Sequence, residues 1–243
     1  YEPLIQAGGV FEFIGPRTSG DWRVTDMYKK HGGVGGAVIG VADDYTWNGS
    51  SWVANAWSVT TDNGITITSP GGNLNNIHYR LFAGYDGSND YTKTEYGNYV
   101  AQADIVTLYI GLNDYYSTGA TGRSADIEFV KDSYRTLVDR IFEINPDVHL
   151  YVISLNEVSS LRGLGLEEGE AGYENSVHSF NKFILEEIVT EYEGKYIQSI
   201  SLNQDGYKMD GNDVPSDESH PNDKGNKKIG TQIYMGIKDD VLA

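Results

Sequence analysis

Ile105-Val106-Thr107-Leu108-Tyr109-Ile110-Gly111-Leu112-Asn113-Asp114 carries the pattern that decides the fold. Its first six positions are almost continuously apolar or β-branched, as expected of a parallel strand covered on both faces. A glycine then ends the strand, and small polar residues follow. A second run of this kind is Val148-His149-Leu150-Tyr151-Val152-Ile153, and a weaker one is Tyr196-Ile197-Gln198-Ser199-Ile200. Helical periodicity fills the intervals. Ile127, Val130, Tyr134, Leu137 and Ile141 recur at i, i+3, i+7, i+10 and i+14, and the pattern stops at Asn145-Pro146, where proline disfavours helical backbone in the residue before it. Val177, Phe180, Ile184, Ile188 and Tyr192 predict a second helix, and Ile229, Ile233 and Ile237 a third. Alternating strands and helices predict an α/β domain: a three-layer α/β/α sandwich around a mainly parallel, flavodoxin-like sheet.

Moving outward, Tyr1-Glu2-Pro3-Leu4-Ile5 reads as part of a helix and Val10-Phe11-Glu12-Phe13-Ile14 as a short buried strand ending at Gly15-Pro16. The chain is therefore expected to start mid-fold. From about Asp43 to Asn98 the alternation is broken by a segment rich in Gly, Asn, Ser, Thr, Tyr and Trp, with strand-like pieces such as Gly64-Ile65-Thr66-Ile67-Thr68. It reads as an insertion of short strands and loops within a single domain of 243 residues. Tyr45, Trp47, Trp52 and Trp57 lie in it and could stack on sugar rings, although such aromatics more often form the core of the insertion itself. Glu157 to Tyr173, with four glycines and four acidic residues, is predicted to be a mobile loop.

Composition narrows the partners. With 18 Lys+Arg against 35 Asp+Glu the formal charge is −17, so nucleic acid or an anionic membrane would be repelled over the whole surface. A neutral or cationic partner fits better. No cysteine is present, which removes a disulfide framework, a thiol nucleophile and thiolate zinc sites. No apolar run approaches the roughly 18 residues of a membrane span, and no leader pattern is seen, so a soluble chain is expected.

Three segments could carry chemistry. Gly111-Leu112-Asn113-Asp114 follows a strand at the carboxyl end, where open parallel sheets bind ligands, and the Asn113 amide could donate to a developing oxyanion. An ordinary capped turn explains the same four residues equally well. In Asp217-Glu218-Ser219-His220-Pro221-Asn222, a carboxylate three residues before the imidazole could accept its Nδ1 proton and leave Nε2 as a general base, with Pro221 opening the next helix. A capped turn with an incidental histidine is the alternative. His31-Gly32-Gly33-Val34-Gly35-Gly36 could bring a backbone N–H close to a substrate oxygen where a Cβ would obstruct, or be a flexible turn; it lacks the spacing of a nucleotide fingerprint. His149 lies in a strand and His178 in a helix, and no His-Glu-x-x-His pattern occurs.

These three segments together resemble the second, third and fifth signature blocks of the SGNH (GDSL-type) hydrolases, and the resemblance runs over essentially the whole chain. It implies His220 as the base, Asp217 as its orienting carboxylate, and Asn113 as an oxyanion donor, with the Gly36 backbone N–H as a second donor and Gly35 in its place if the local match is shifted. It implies no metal and no organic cofactor. Members with this style of glycine loop commonly remove acyl groups from carbohydrates, so a carbohydrate ester substrate and an extracellular or secreted address are expected. The family's nucleophile stands in a Gly-Asp-Ser block after the first strand, and that block does not occur here. Ser19-Gly20-Asp21 has the letters in another order, no Gly-x-Ser-x-Gly elbow exists, and Ser179-Phe180-Asn181-Lys182 matches only the loose Ser-x-x-Lys pattern inside a predicted helix. No nucleophile is assigned. An N-terminal segment outside the 243 residues, or a partner chain completing the sheet by β-addition, would supply it; a non-catalytic carbohydrate-binding or structural module of the same fold is the alternative.

Overall fold

The computed structural model describes residues 17–18, 30–31, 45–48, 50–54, 56–62, 65–70, 95–115, 127–158, 161, 163–214 and 220–241. The helix expected at Tyr1–Ile5, the strand at Val10–Ile14, Ser19-Gly20-Asp21, Gly35, Gly36 and Asp217 lie outside them. The chain divides into two compact units, one comprising 1–11, 107–118 and 149–243 and the other 12–106 and 119–148.

Most of the parallel sheet lies in the first unit. Its order is β7 (Ile105–Leu108), β8 (His149–Ile153), β9 (Ile197–Ile200), and β8 and β9 run parallel with Leu150 opposite Ile197 and Ile153 opposite Ile200. The fold is α/β with a mainly parallel sheet, as the apolar runs predict. Leu150, Tyr151, Val152 and Ile153 are all buried, so β8 is covered on both faces. Each strand is slightly shorter than its apolar run, because Tyr109 and Ile110 already leave the ladder.

The helix predicted from Val177 is interrupted. α3 (Val177–Lys182) passes through a π-helical turn at Phe183–Glu187 into α4 (Ile188–Glu191). Phe183, three residues after Phe180, is buried with Val177, Phe180, Ile184 and Ile188. The Ser199 hydroxyl donates to the Leu185 carbonyl at 3.0 Å, satisfying from β9 an acceptor that lies in the π turn.

α5 (Asp223–Val241) differs from its periodicity. Ile237 is buried, but Ile229 and Ile233 are only half-buried, and Gly225 and Gln232 take the inner positions. Small residues set the approach: a Cβ on Gly236 would lie 2.7 Å from Ile200 Cδ1, and one on Gly225 would lie 2.7 Å from the Asp213 carbonyl oxygen. Gly236 thus faces the last residue of β9, while Asp240 bonds Tyr196 just before its first. α5 therefore runs antiparallel to β9, with its N-terminus beyond the strand's carboxyl end.

In the second unit, β3 (Tyr45–Trp47) pairs with β4 (Trp52–Ala54) and β5 (Trp57–Asp62) with β6 (Ile65–Pro70), both antiparallel. These short strands lie within the segment read as an insertion, of which 71–94 are outside the described residues. A two-residue pair, β1 (Arg17–Thr18) with β2 (Lys30–His31), is also antiparallel. α1 (Glu95–Gln102) and α2 (Ile127–Ile144) are joined where the Asn145 side chain donates to the carbonyls of Val100 and Ala103 at 3.1 and 2.9 Å. α2 buries Ile127, Val130, Tyr134, Leu137 and Ile141, the predicted stripe.

Gly225→Ala tests the close approach of α5. Alanine favours helix by about 1 kcal/mol over glycine, yet the Cβ would press on main chain that cannot rotate away. A net loss of about 1–3 kcal/mol in urea unfolding is expected; a gain would show that the helix stands off from the loop beneath it.

Candidate active site

Parallel strands leave unpaired backbone groups where they end, and here asparagines meet them. The amide of Asn181 on α3 clasps Leu155, accepting its N–H at 2.8 Å and donating to its carbonyl at 3.0 Å. Asn203 donates to that carbonyl at 2.9 Å and accepts the Glu157 N–H at 3.0 Å. Asn156 donates to the Tyr109 hydroxyl at 2.9 Å. Tyr109, Asn156 and Asn203 follow β7, β8 and β9 respectively, so these bonds place the three carboxyl ends on one edge of the sheet.

Asn113 stands on that edge. Gly111, with φ 122°, turns the chain sharply out of β7 into a 3₁₀ turn over Leu112–Asp114, closed by Asp114 N–H donating to the Gly111 carbonyl at 2.9 Å. Only glycine adopts this φ without strain. Tyr115, fully buried, stacks on Phe180 of α3 with ring centroids 4.7 Å apart, fixing the far side of the turn. Asn113 itself is half-buried.

His220 is exposed and precedes α5, on the same side of the sheet because α5 begins beyond the carboxyl end of β9. Pro221 does not open the helix; Asn222 caps it, its Oδ1 accepting the N–H groups of Lys224 and Gly225 at 2.9 and 3.1 Å. Beneath the cap lies Asp213, fully buried, its Oδ2 2.6 Å from Lys228 Nζ and 2.9 Å from the Asp210 N–H, with Lys224 Nζ 3.0 Å from Oδ1. The Lys228 bond first, then the Asp210 N–H, hold this carboxyl far below the usual carboxylate range against the opposing effect of burial.

Of the residues assigned a role, the structure thus places Asn113 and His220 on one edge of one unit. Asp217 and Gly36 are not among the described residues. Ser179 is buried within α3 and Lys182 pairs with Glu168 at 2.8 Å, so the Ser-x-x-Lys pattern presents no accessible hydroxyl.

The segment predicted to be mobile, Glu157 to Tyr173, is tied at several points. Gly165 N–H donates to His178 Nε2 at 3.1 Å, His178 Nδ1 lies 3.3 Å from Glu157 Oε1, and Glu157 also pairs with Lys208. An imidazole accepting at Nε2 carries its proton on Nδ1, so His178 is committed to structure. His149 lies at the opposite edge, stacked on Tyr196 with centroids 3.6 Å apart and with Nδ1 2.9 Å from Asp240 Oδ2. Burial pushes the Asp240 carboxyl up, but hydrogen bonds from Tyr151, Tyr196 and His149 outweigh it and leave it below its ordinary value.

Among the described residues, no group of three or more His, Cys, Asp or Glu is placed to hold a metal ion, and no helix is long and apolar enough to cross a membrane.

No family model and no curated protein matches the chain. Solved structures do. A family 3 carbohydrate esterase of Clostridium thermocellum superposes over 100% of this chain and 84% of its own, with a TM-score of 0.56 at 19% identity. An acetyl esterase mutant with acetate ion does so over 99% and 88%, with a TM-score of 0.56 at 15% identity. The chain has the fold of these esterases. A family 3 carbohydrate esterase from Talaromyces cellulolyticus shares this fold over 99% of this chain and 88% of its own, with a TM-score of 0.53 at 14% identity.

Asp213 and Asp240 make stability depend on pH in one direction. Both carboxyls have folded pKa values below the ordinary aspartate value of 3.8, so the unfolded chain binds more protons at acid pH. Their contribution is complete above that value and is lost as pH falls below it. The urea midpoint is expected to drop between about pH 4 and pH 2, and less steeply in Asp213→Asn; equal slopes would mean that the buried carboxylate adds nothing.

Proposed function

We propose that this protein is a serine ester hydrolase of SGNH type that removes acetyl or other acyl groups from a carbohydrate. One observation carries the reading: the Gly111–Asp114 turn and the histidine before α5 occupy the carboxyl edge of the same parallel sheet, where such a site is expected. The similar structures, two carbohydrate esterases and an acetyl esterase, support the substrate class. The formal charge of −17 favours a neutral glycan over an anionic one, and the family's carbohydrate substrates favour a secreted protein.

In this reading a serine supplied by an N-terminal segment outside the 243 residues, or by a partner chain, attacks the ester carbonyl. His220 takes its proton, oriented by Asp217, and returns it to the departing sugar hydroxyl. Asn113 Nδ2 and the Gly36 N–H donate to the tetrahedral oxyanion, with Gly35 in the place of Gly36 if the register differs. Water then hydrolyses the acyl-enzyme with His220 again as base. No metal or organic cofactor takes part.

Trp57 gives a second reading its footing, since it is 62% exposed on β5 with Val59 two residues on, also exposed. That strand could hold a sugar ring without any chemistry. The two readings separate on p-nitrophenyl acetate and an acetylated oligosaccharide, using the chain with its upstream segment. His220→Ala is expected to lower kcat/KM by about 10³-fold or more and Asn113→Ala by about 10²-fold. Unchanged hydrolysis in His220→Ala would refute the esterase; glycan binding that survives both changes and disappears in Trp57→Ala would favour the binding module.

A further inference from the structure

The mechanism asks His220 to stay in one place although its side chain is exposed. Two residues later, Asn222 bonds in four directions. Its main-chain N–H donates to the Asp213 carbonyl at 2.8 Å, and its carbonyl accepts the Asn226 N–H at 2.8 Å. Its Oδ1 accepts from Lys224 and Gly225, and its Nδ2 donates to the Asn212 carbonyl at 2.8 Å. Asn226 Nδ2 adds a bond to the Pro221 carbonyl at 3.2 Å.

A helix cap requires only the Oδ1 contacts. The bond from Nδ2 to Asn212 does something else, because it crosses to a separate segment. That segment is itself immobilised: Asp213 is sealed beneath α5 by Lys228 and Lys224, Lys228 Nζ also donates to the Lys208 carbonyl at 2.9 Å, and Gly225 packs on the Asp213 carbonyl. The Asp210–Asp213 turn is closed by Asp213 N–H donating to the Asp210 carbonyl at 2.9 Å and Asn212 N–H to Asp210 Oδ1 at 2.7 Å.

We propose that Asn222 is a positioning residue for the reaction, its side-chain amide clamping the His220-Pro221 segment between the first turn of α5 and the Asp210–Asp213 turn so that the imidazole is held at its working position. The inference rests on the reading of His220 as the base. Asn222 touches no reacting atom; it acts through the two residues that separate it from the imidazole.

Asn222→Ser keeps an oxygen for the cap but has no second arm to reach the Asn212 carbonyl, and Asn222→Asp, which keeps the cap as a carboxylate, serves if the serine variant folds poorly. Both are compared with His220→Ala in the chain with its upstream segment, by steady-state p-nitrophenyl acetate hydrolysis and by amide hydrogen exchange. The expected result for Asn222→Ser is a fall in kcat of about tenfold or more with KM within about twofold, together with faster exchange in residues 208–222 and unchanged exchange in the last turns of α5. Unchanged kcat where His220→Ala abolishes activity would overturn the positioning role alone. A fall in kcat accompanied by loosening of the whole helix would also overturn it, as a cap defect. Unchanged exchange in residues 208–222 would overturn the clamp whatever the activity. Full activity in His220→Ala would instead remove the base on which the inference stands, a result read from a different variant.

Discussion

The structure depends on satisfying main-chain groups where buried strands end. Leu155 leaves β8 fully buried and outside the ladder, so neither its N–H nor its carbonyl can reach water. An unpaired buried group costs about 1–3 kcal/mol. Asn181, itself buried, takes both, and Asn203 adds a donor to the carbonyl. An asparagine side chain suits this task because it offers a donor and an acceptor at the spacing of a peptide group. These bonds lock α3 and the segment after β9 to the sheet edge where Asn113 emerges.

The strands and helices of the first unit were legible because burial on both faces leaves an unbroken apolar run, and burial on one side leaves a helical stripe. The π turn was not. Phe180, Phe183, Ile184 and Ile188 keep the i, i+3, i+4 and i+8 spacing of an α-helical stripe, so the apolar pattern gives no sign of the turn, which shows only in the backbone and in the Ser199 bond to the Leu185 carbonyl. α5 misled in the opposite sense. Its isoleucines suggested the buried face, whereas Gly225 and Gln232 occupy it and Gly236 meets Ile200, because the helix lies closer than isoleucine side chains permit.

Asn113 and His220 stood out as candidates because of their neighbours: a glycine that must bend the chain after an apolar run, and a histidine before a helix. The supporting asparagines were not singled out. Asn156, Asn181, Asn203 and Asn222 are scattered in sequence and gain meaning only when the fold brings strand ends together. Asp213 was likewise hidden among many acidic residues; two lysines four apart on α5 distinguish it only once the helix is seen to cover it.

The cluster at the opposite edge gives α5 a mechanical character. Asp240 is gripped by Tyr196, His149 and Tyr151 near one end of the helix, and Asp213 with Asn212 grips the other. Between these grips lie 19 helical residues, a beam of about 28 Å at 1.5 Å per residue. Pivoting such a beam by one degree about its far support moves the near end by roughly 0.5 Å over that length, comparable to the tolerance of a proton transfer. If His220 is the base proposed above, side chains at the foot of the sheet therefore help set its aim.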